Sequence, residues 1–85
     1  MTPAQLRMAR AAARLGVRDL AKLANVAPAT ISRFEGEKGG LNMKTQGAIR
    51  TALESKGITF VPENGGPAGI RFDENVDGTV TDADG

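Results

Sequence analysis

At 85 residues, with 11 Lys and Arg against 10 Asp and Glu, the chain is one small domain, near the size at which a single core only just suffices. It has no Cys, which excludes a disulfide framework, a thiolate site and a zinc finger, and no His, which removes the usual general base and the commonest metal ligand. No apolar run approaches the roughly 18 residues of a membrane span and no signal-peptide pattern opens the sequence, so the expectation is a soluble cytoplasmic protein without a cofactor or metal.

In chain order, Thr2-Pro3-Ala4-Gln5 reads as a helix start. Thr2 can cap, Pro3 suits the first helical position and Gln5 completes a capping box. This helix should run to about Leu15 and bury Leu6, Ala9 and Ala13. Arg7, Arg10 and Arg14 form a basic stripe beside that apolar face, while Met8, Ala12 and Leu15 lie off it. Those three could meet a protein partner or pack under later strands. Gly16 interrupts, and Val17 to Ala24 is a second helix with Leu20, Ala21 and Ala24 inward. Asn25 suits a left-handed cap, Val26-Ala27 makes a turn, and Pro28 opens a third helix that stops at Gly36.

The segment GEKGGLN is a loop. A fourth helix should begin near Asn42 or Thr45, bury Ala48, Ile49, Ala52 and Leu53, and stop at Gly57. Alternation and β-branching predict a strand over about 59–61, and Ile70-Arg71-Phe72 can return as a second. The expected organisation is a helical unit over 1–57, a β extension over 58–72 for dimerisation or packing on the first helix, and a flexible acidic tail over 73–85.

Charge follows the same division. All Lys and Arg lie between Arg7 and Arg71, where Asp19, Glu35, Glu37, Glu54 and Glu63 are the acids, leaving a net +6. Asp73, Glu74, Asp77, Asp82 and Asp84 then give −5 with no basic residue. A basic body suits a polyanion, with the acidic tail competing for the same surface. It equally describes an ordinary solvated surface with a polar terminus.

The decisive pattern is NVAPATISRFE, from Asn25 to Glu35. Ile31 and Phe34 would share one helical face, and Ala29, Thr30, Ser32 and Arg33 the other. Helix, tight turn and helix over Val17 to Glu35 form a helix-turn-helix, whose second helix presents its outer face to the DNA major groove. Arg33 suits base readout, since a guanidinium can grip guanine with two hydrogen bonds. Ser32 suits a base edge and Thr30 a phosphate. Arg18, Lys38 and Lys44 would supply phosphate contacts.

RDLAKLANVAPATISRFEGE resembles the Cro/CI-type helix-turn-helix of bacterial and phage transcriptional regulators, also described as XRE-type or lambda-repressor-like. The pattern covers roughly residues 6–53, and Leu20-Ala21, Ala24, Asn25, Val26, Thr30-Ile31 and Glu35 match it best. The segment TQGAIRTALESKGITFVPENGGPAGIRF is similar to the C-terminal part of short regulators of this kind. The resemblance implies a mainly α bundle of four to five helices with a short β segment. It implies a repressor acting as a homodimer on a pseudo-palindromic operator in double-stranded DNA, and hence located at the nucleoid. It also implies that Arg10 pairs with Glu35. Gly16 and Val17 stand where the family often has Ser or Asn and then a phosphate-holding Gln, so at Val17 that contact falls to backbone N–H. Ala29 can touch a thymine methyl.

Two other readings use the remaining features. DENVDGTVTDAD places Asp73, Asn75, Asp77, Gly78, Val80 and Asp84 at spacings of an EF-hand calcium loop, yet no helix can follow it before Gly85. The alternative function is a protein-binding module, such as an antitoxin or anti-activator, with secondary DNA binding. Enzymatic readings find no His partner for Ser32 or Thr30 and no phosphate-cradling loop after a strand.

Overall fold

The computed structural model describes residues 1–62 and 68–73. Four helices are followed by a two-stranded antiparallel sheet: α1 (Pro3–Ala13), α2 (Val17–Ala24), α3 (Pro28–Glu35), α4 (Met43–Glu54), β1 (Ile58–Val61) and β2 (Gly69–Phe72). Ile58 pairs with Phe72 and Val61 with Gly69, which sets the register of the hairpin. The core joins Leu6 and Ala9 of α1, Leu20, Ala21 and Ala24 of α2, Ile31 and Phe34 of α3, Ile49, Ala52 and Leu53 of α4, and Ile58 of β1. Every element thus contributes a buried side chain except β2, whose Ile70 packs on the cluster from its edge.

Local chemistry accounts for where the helices start. The Thr2 hydroxyl accepts from the Gln5 N–H at 3.0 Å and the Gln5 side chain accepts from the Thr2 N–H at 2.8 Å, closing the capping box. Asn42 caps α4 by accepting from the Thr45 N–H at 2.7 Å. Gly16 and Ala27, ahead of α2 and α3, offer no side-chain cap.

The ends of α1, α2 and α3 share one device. Each closes with a six-to-one and a five-to-two backbone bond around a left-handed residue. These residues are Arg14, Asn25 and Glu37, with φ of 58°, 59° and 60°. The long bonds run from Leu15 N–H to Arg10 C=O, from Val26 N–H to Ala21 C=O, and from Lys38 N–H to Arg33 C=O. None of the three is glycine, the residue that tolerates this conformation best.

Several expectations need correction. The first helix stops at Ala13 rather than near Leu15, because Arg14 turns left-handed. Ala13 is only partly buried for the same reason, and Ala48 is likewise half-buried. The four helices among the described residues fall within the expected four to five. Both strands begin one residue earlier than expected, at Ile58 and Gly69, since Ile58 is drawn into the core and pairs with Phe72. Ala12 and Leu15 pack at the edge of the core, whereas Met8 is exposed. The Asp73 N–H donates to the Gly57 carbonyl at 2.8 Å, so that residue closes the hairpin instead of beginning a free tail. The rest of the expected tail and of the calcium-loop spacing, from residue 74 on, lies outside the described residues.

One buried amide hydrogen-bonds the hairpin to α1, beside the apolar packing of Ile58, Phe60 and Ile70. Gln5 Nε2 donates to the carbonyls of Val61 and Gly69 at 3.0 and 2.9 Å, while its Oε1 serves the capping box. On the other side the Arg50 guanidinium lies 5.8 Å from the centre of the Phe60 ring, joining β1 to α4. An isolated two-stranded ribbon is marginal in water, so these side contacts matter.

Two outcomes follow. Gln5→Ala leaves two carbonyls without their donor and should cost about 1–3 kcal/mol in urea denaturation. Hairpin amides should then exchange faster relative to those of α4; equal acceleration in both would sink this account. Glu37→Gly relieves a left-handed residue and should raise stability by roughly 0.5–1 kcal/mol, read as a higher unfolding midpoint at unchanged denaturant slope.

Candidate nucleic-acid interface

α3 is fixed on one side and bare on the other. Ile31, Phe34 and Glu35 are buried, whereas Pro28, Ala29, Ser32 and Arg33 are exposed and Thr30 is half-buried. At 3.6 residues per turn, positions 29, 32 and 33 share the outer side. Three residues, Asn25 to Ala27, separate α3 from α2, so the two helices meet as a compact pair.

The buried side is locked by Glu35. Its carboxylate accepts two parallel bonds from Arg10, from Nε to Oε2 and from Nη2 to Oε1, both 2.7 Å. Arg10 Nη1 donates to the Leu15 carbonyl at 3.0 Å, so one guanidinium joins α1, the α1–α2 turn and α3. Arg7 Nη1 donates to the backbone carbonyl of Glu35, adding a second tie from α1 to the end of α3. The hydrogen bonds to Glu35 raise the Arg10 pKa above its ordinary value; burial opposes this and the attraction of the carboxylate adds to it. A guanidinium raised in this way keeps its charge at every pH below its unfolded pKa, so Arg10 does not weaken the pair between neutral and moderately alkaline pH.

The cations expected at phosphates occupy three separate places. Arg18 is exposed at the second residue of α2, Lys38 is exposed just past α3, and Lys44 is exposed at the second residue of α4. Val17 is half-buried, its side chain against the core, which leaves only its backbone toward solvent chemistry. Gly16 has no side chain to cap α2, and Asp19 Oδ2 instead accepts from the Gly16 N–H at 3.0 Å. The open N–H groups of Val17 and Arg18 sit at the positive end of the helix dipole. The Asp19 carboxylate lies close by and would oppose an approaching anion.

Arg33 does not stand free of its surroundings. Its guanidinium lies against Gly39, where an added β-carbon would sit 3.4 Å from Nη2. The glycine therefore leaves room for the side chain to rest over the loop after α3. Sequence reasoning missed this contact, together with the Arg7 bond to Glu35 and the Gln5 bonds to the strands. The acceptors or neighbours involved are backbone atoms, which no residue pattern announces. The spacing of Arg7 and Arg10 held a partial signal, since both fall beside the apolar face of α1.

Among the described residues, no group of three His, Cys, Asp or Glu could hold a metal ion, and no helix is long and apolar enough to cross a membrane. A comparison with protein-family models gives no match, and a search of the curated proteins gives no significant one.

Removing one member of the Arg10–Glu35 pair leaves the other charge partly buried. Arg10 is 21% and Glu35 9% exposed, so Glu35→Ala should cost on the order of 3 kcal/mol. A double-mutant cycle with Arg10→Ala, read by urea denaturation, should return a coupling energy well above that of a surface pair. Additive losses would show that the two side chains act independently.

Proposed function

We propose that the chain is a sequence-specific DNA-binding transcriptional regulator of lambda-repressor-like helix-turn-helix type. In this reading it acts as a repressor and as a homodimer on a pseudo-palindromic operator. The observation that carries it is the division of α3: Ile31, Phe34 and Glu35 anchored, Ala29, Ser32 and Arg33 exposed. A short helix clamped from behind by an ion pair, with small and cationic side chains outward, fits the width of a major groove.

The roles divide by position. Ala29 makes apolar contact with a thymine methyl, Ser32 meets a base edge, and Arg33 takes a guanine with its fork of donors. To do so Arg33 leaves its rest over Gly39, a rotation about side-chain bonds that costs no buried contact. Thr30, Arg18, Lys38, Lys44 and the backbone N–H of Val17 hold phosphates and set the register. The sign of regulation rests on the family resemblance of the sequence. A basic surface also supports non-specific attraction to DNA, which depends strongly on salt.

Selection of bound fragments from a random DNA pool, followed by affinity measurements at two salt concentrations, tests this reading. Arg33→Ala should weaken binding to the selected site by about 1–3 kcal/mol and relax preference at one base pair. Lys38→Ala should weaken selected and scrambled DNA alike and reduce the salt slope by roughly one. Failure to enrich any sequence over random DNA would remove the proposal. Equal losses on both DNAs for Arg33→Ala would make Arg33 a phosphate clamp instead.

A further inference from the structure

The outer side of α4 carries a surface that DNA recognition leaves almost unused. Met43, Lys44, Gly47, Thr51, Glu54 and Ser55 are all exposed and fall on one side of this helix of 12 residues. Between that side and α2 runs an apolar groove of about 460 Å³, walled by Leu23 and Ala24 on one side and by Gly47, Ala48, Thr51 and Ala52 on the other. Leu23 at its rim is 45% exposed and Met43 is 90% exposed. These are two of the four large exposed hydrophobic residues among those described.

Gly47 has no internal explanation. It sits inside α4, where glycine costs about 1 kcal/mol relative to alanine. Apart from its chain neighbours and the backbone of its own helix, no atom lies within 4 Å of the place where its β-carbon would be. Nothing in the described fold therefore needs the missing side chain, and the bare backbone is open to close approach from outside.

The charges on this side are arranged symmetrically. Lys44 and Glu54 stand at opposite ends of α4, and neither has an ion-pair partner among the described residues. Both are equally far along the helix from Ile49, and so are Gly47 and Thr51. Antiparallel pairing of α4 with α4 of a second molecule, about a two-fold axis level with Ile49, sets Lys44 opposite Glu54 twice. It also sets Gly47 opposite Thr51 twice. Leu23 borders the later half of α4, sharing a second hollow with Lys56, so the same axis carries it toward Gly47 and Met43 of the other copy.

We propose that two copies of this chain associate through the α2–α4 face, with the α4 helices antiparallel, Leu23 and Met43 covered, and Lys44 paired with Glu54 across the axis. A pattern that maps onto itself under a two-fold rotation is what an isologous contact requires. An unrelated partner would impose no such symmetry, and this selects a second copy as the occupant. The face is about one helix wide, less than the roughly 1,600 Å² of a standard stable interface, so the dimer forms and separates with concentration. The inference supplies an interface for the proposed regulator and rests on that reading only for its use. Lys44 carries three N–H donors, enough for a carboxylate and a DNA phosphate together.

Sedimentation equilibrium of the full chain without DNA, from micromolar to millimolar concentration, is expected to show a monomer–dimer equilibrium. Gly47→Gln places a strong helix former in the groove. It should raise the thermal unfolding midpoint of the monomer while weakening association about tenfold or more. Lys44→Glu and Glu54→Lys should each weaken association, and the double reversal should restore it. A chain that stays monomeric throughout, a dimer indifferent to Gly47→Gln, or a double reversal no better than either single one would overturn the proposal. If Gly47→Gln lowers the midpoint, the charge-reversal cycle decides alone. Binding of a half-site by monomeric Gly47→Gln is read separately. Its loss in the wild type as well would remove the regulator reading and leave the dimer result standing.

Discussion

The carboxylate of Glu35 is the contact on which the arrangement of helices depends. α3 has only eight residues and an alanine where a side-chain cap would normally stand, so it cannot hold its place by helical propensity. Burial of Ile31 and Phe34 draws it onto the core, but two apolar anchors one turn apart still allow rotation about their axis. The two parallel bonds from Arg10 remove that freedom, because a planar guanidinium meets a carboxylate in one plane. Arg7 fixes the last carbonyl of the same helix. Two members of the basic stripe on α1 are thus engaged with Glu35 of α3.

α1 is the spine of the structure for a related reason. Gln5 and Glu35 are the two buried polar residues among those described, and both are satisfied through α1. Gln5 binds the hairpin at the beginning of the helix, and Arg10 binds α3 near its end. Unpaired, either polar group would be expensive to bury. Paired, each specifies one geometry where apolar packing alone would tolerate several. The strands consequently pack on the helix through a directed amide as well as through Ile58, Phe60 and Ile70.

The three left-handed caps explain how so short a chain turns so sharply. Arg14, Asn25 and Glu37 each reverse the backbone within one or two residues, and each lets a carbonyl of the preceding helix find a donor. The cap at Glu37 also brings Lys38 and the loop with Gly39 beneath Arg33. The exposed end of α3 and the loop on which Arg33 rests are therefore products of the same turn.

The sequence by itself determined what is local. Thr2, Pro3 and Gln5 announce the first helix, Asn25 and Pro28 bracket the turn, and the spacing of Ile31 and Phe34 separates the buried side of α3 from Ala29, Ser32 and Arg33. These signals act over three or four residues, within one turn of helix, so they can be read without the fold. The pairing of Arg10 with Glu35 was legible through the resemblance of the whole motif, not from either residue. The tertiary structure alone decided the rest. It ended α1 at Ala13 although Leu15 extends the apolar pattern, because the Leu15 carbonyl is taken by Arg10 and Arg14 turns the chain. It joined Gln5 to carbonyls 56 and 64 residues away, and Arg7 to one 28 residues away. Backbone carbonyls are the same at every residue, so which of them a side chain reaches is set by packing and leaves no mark in the sequence.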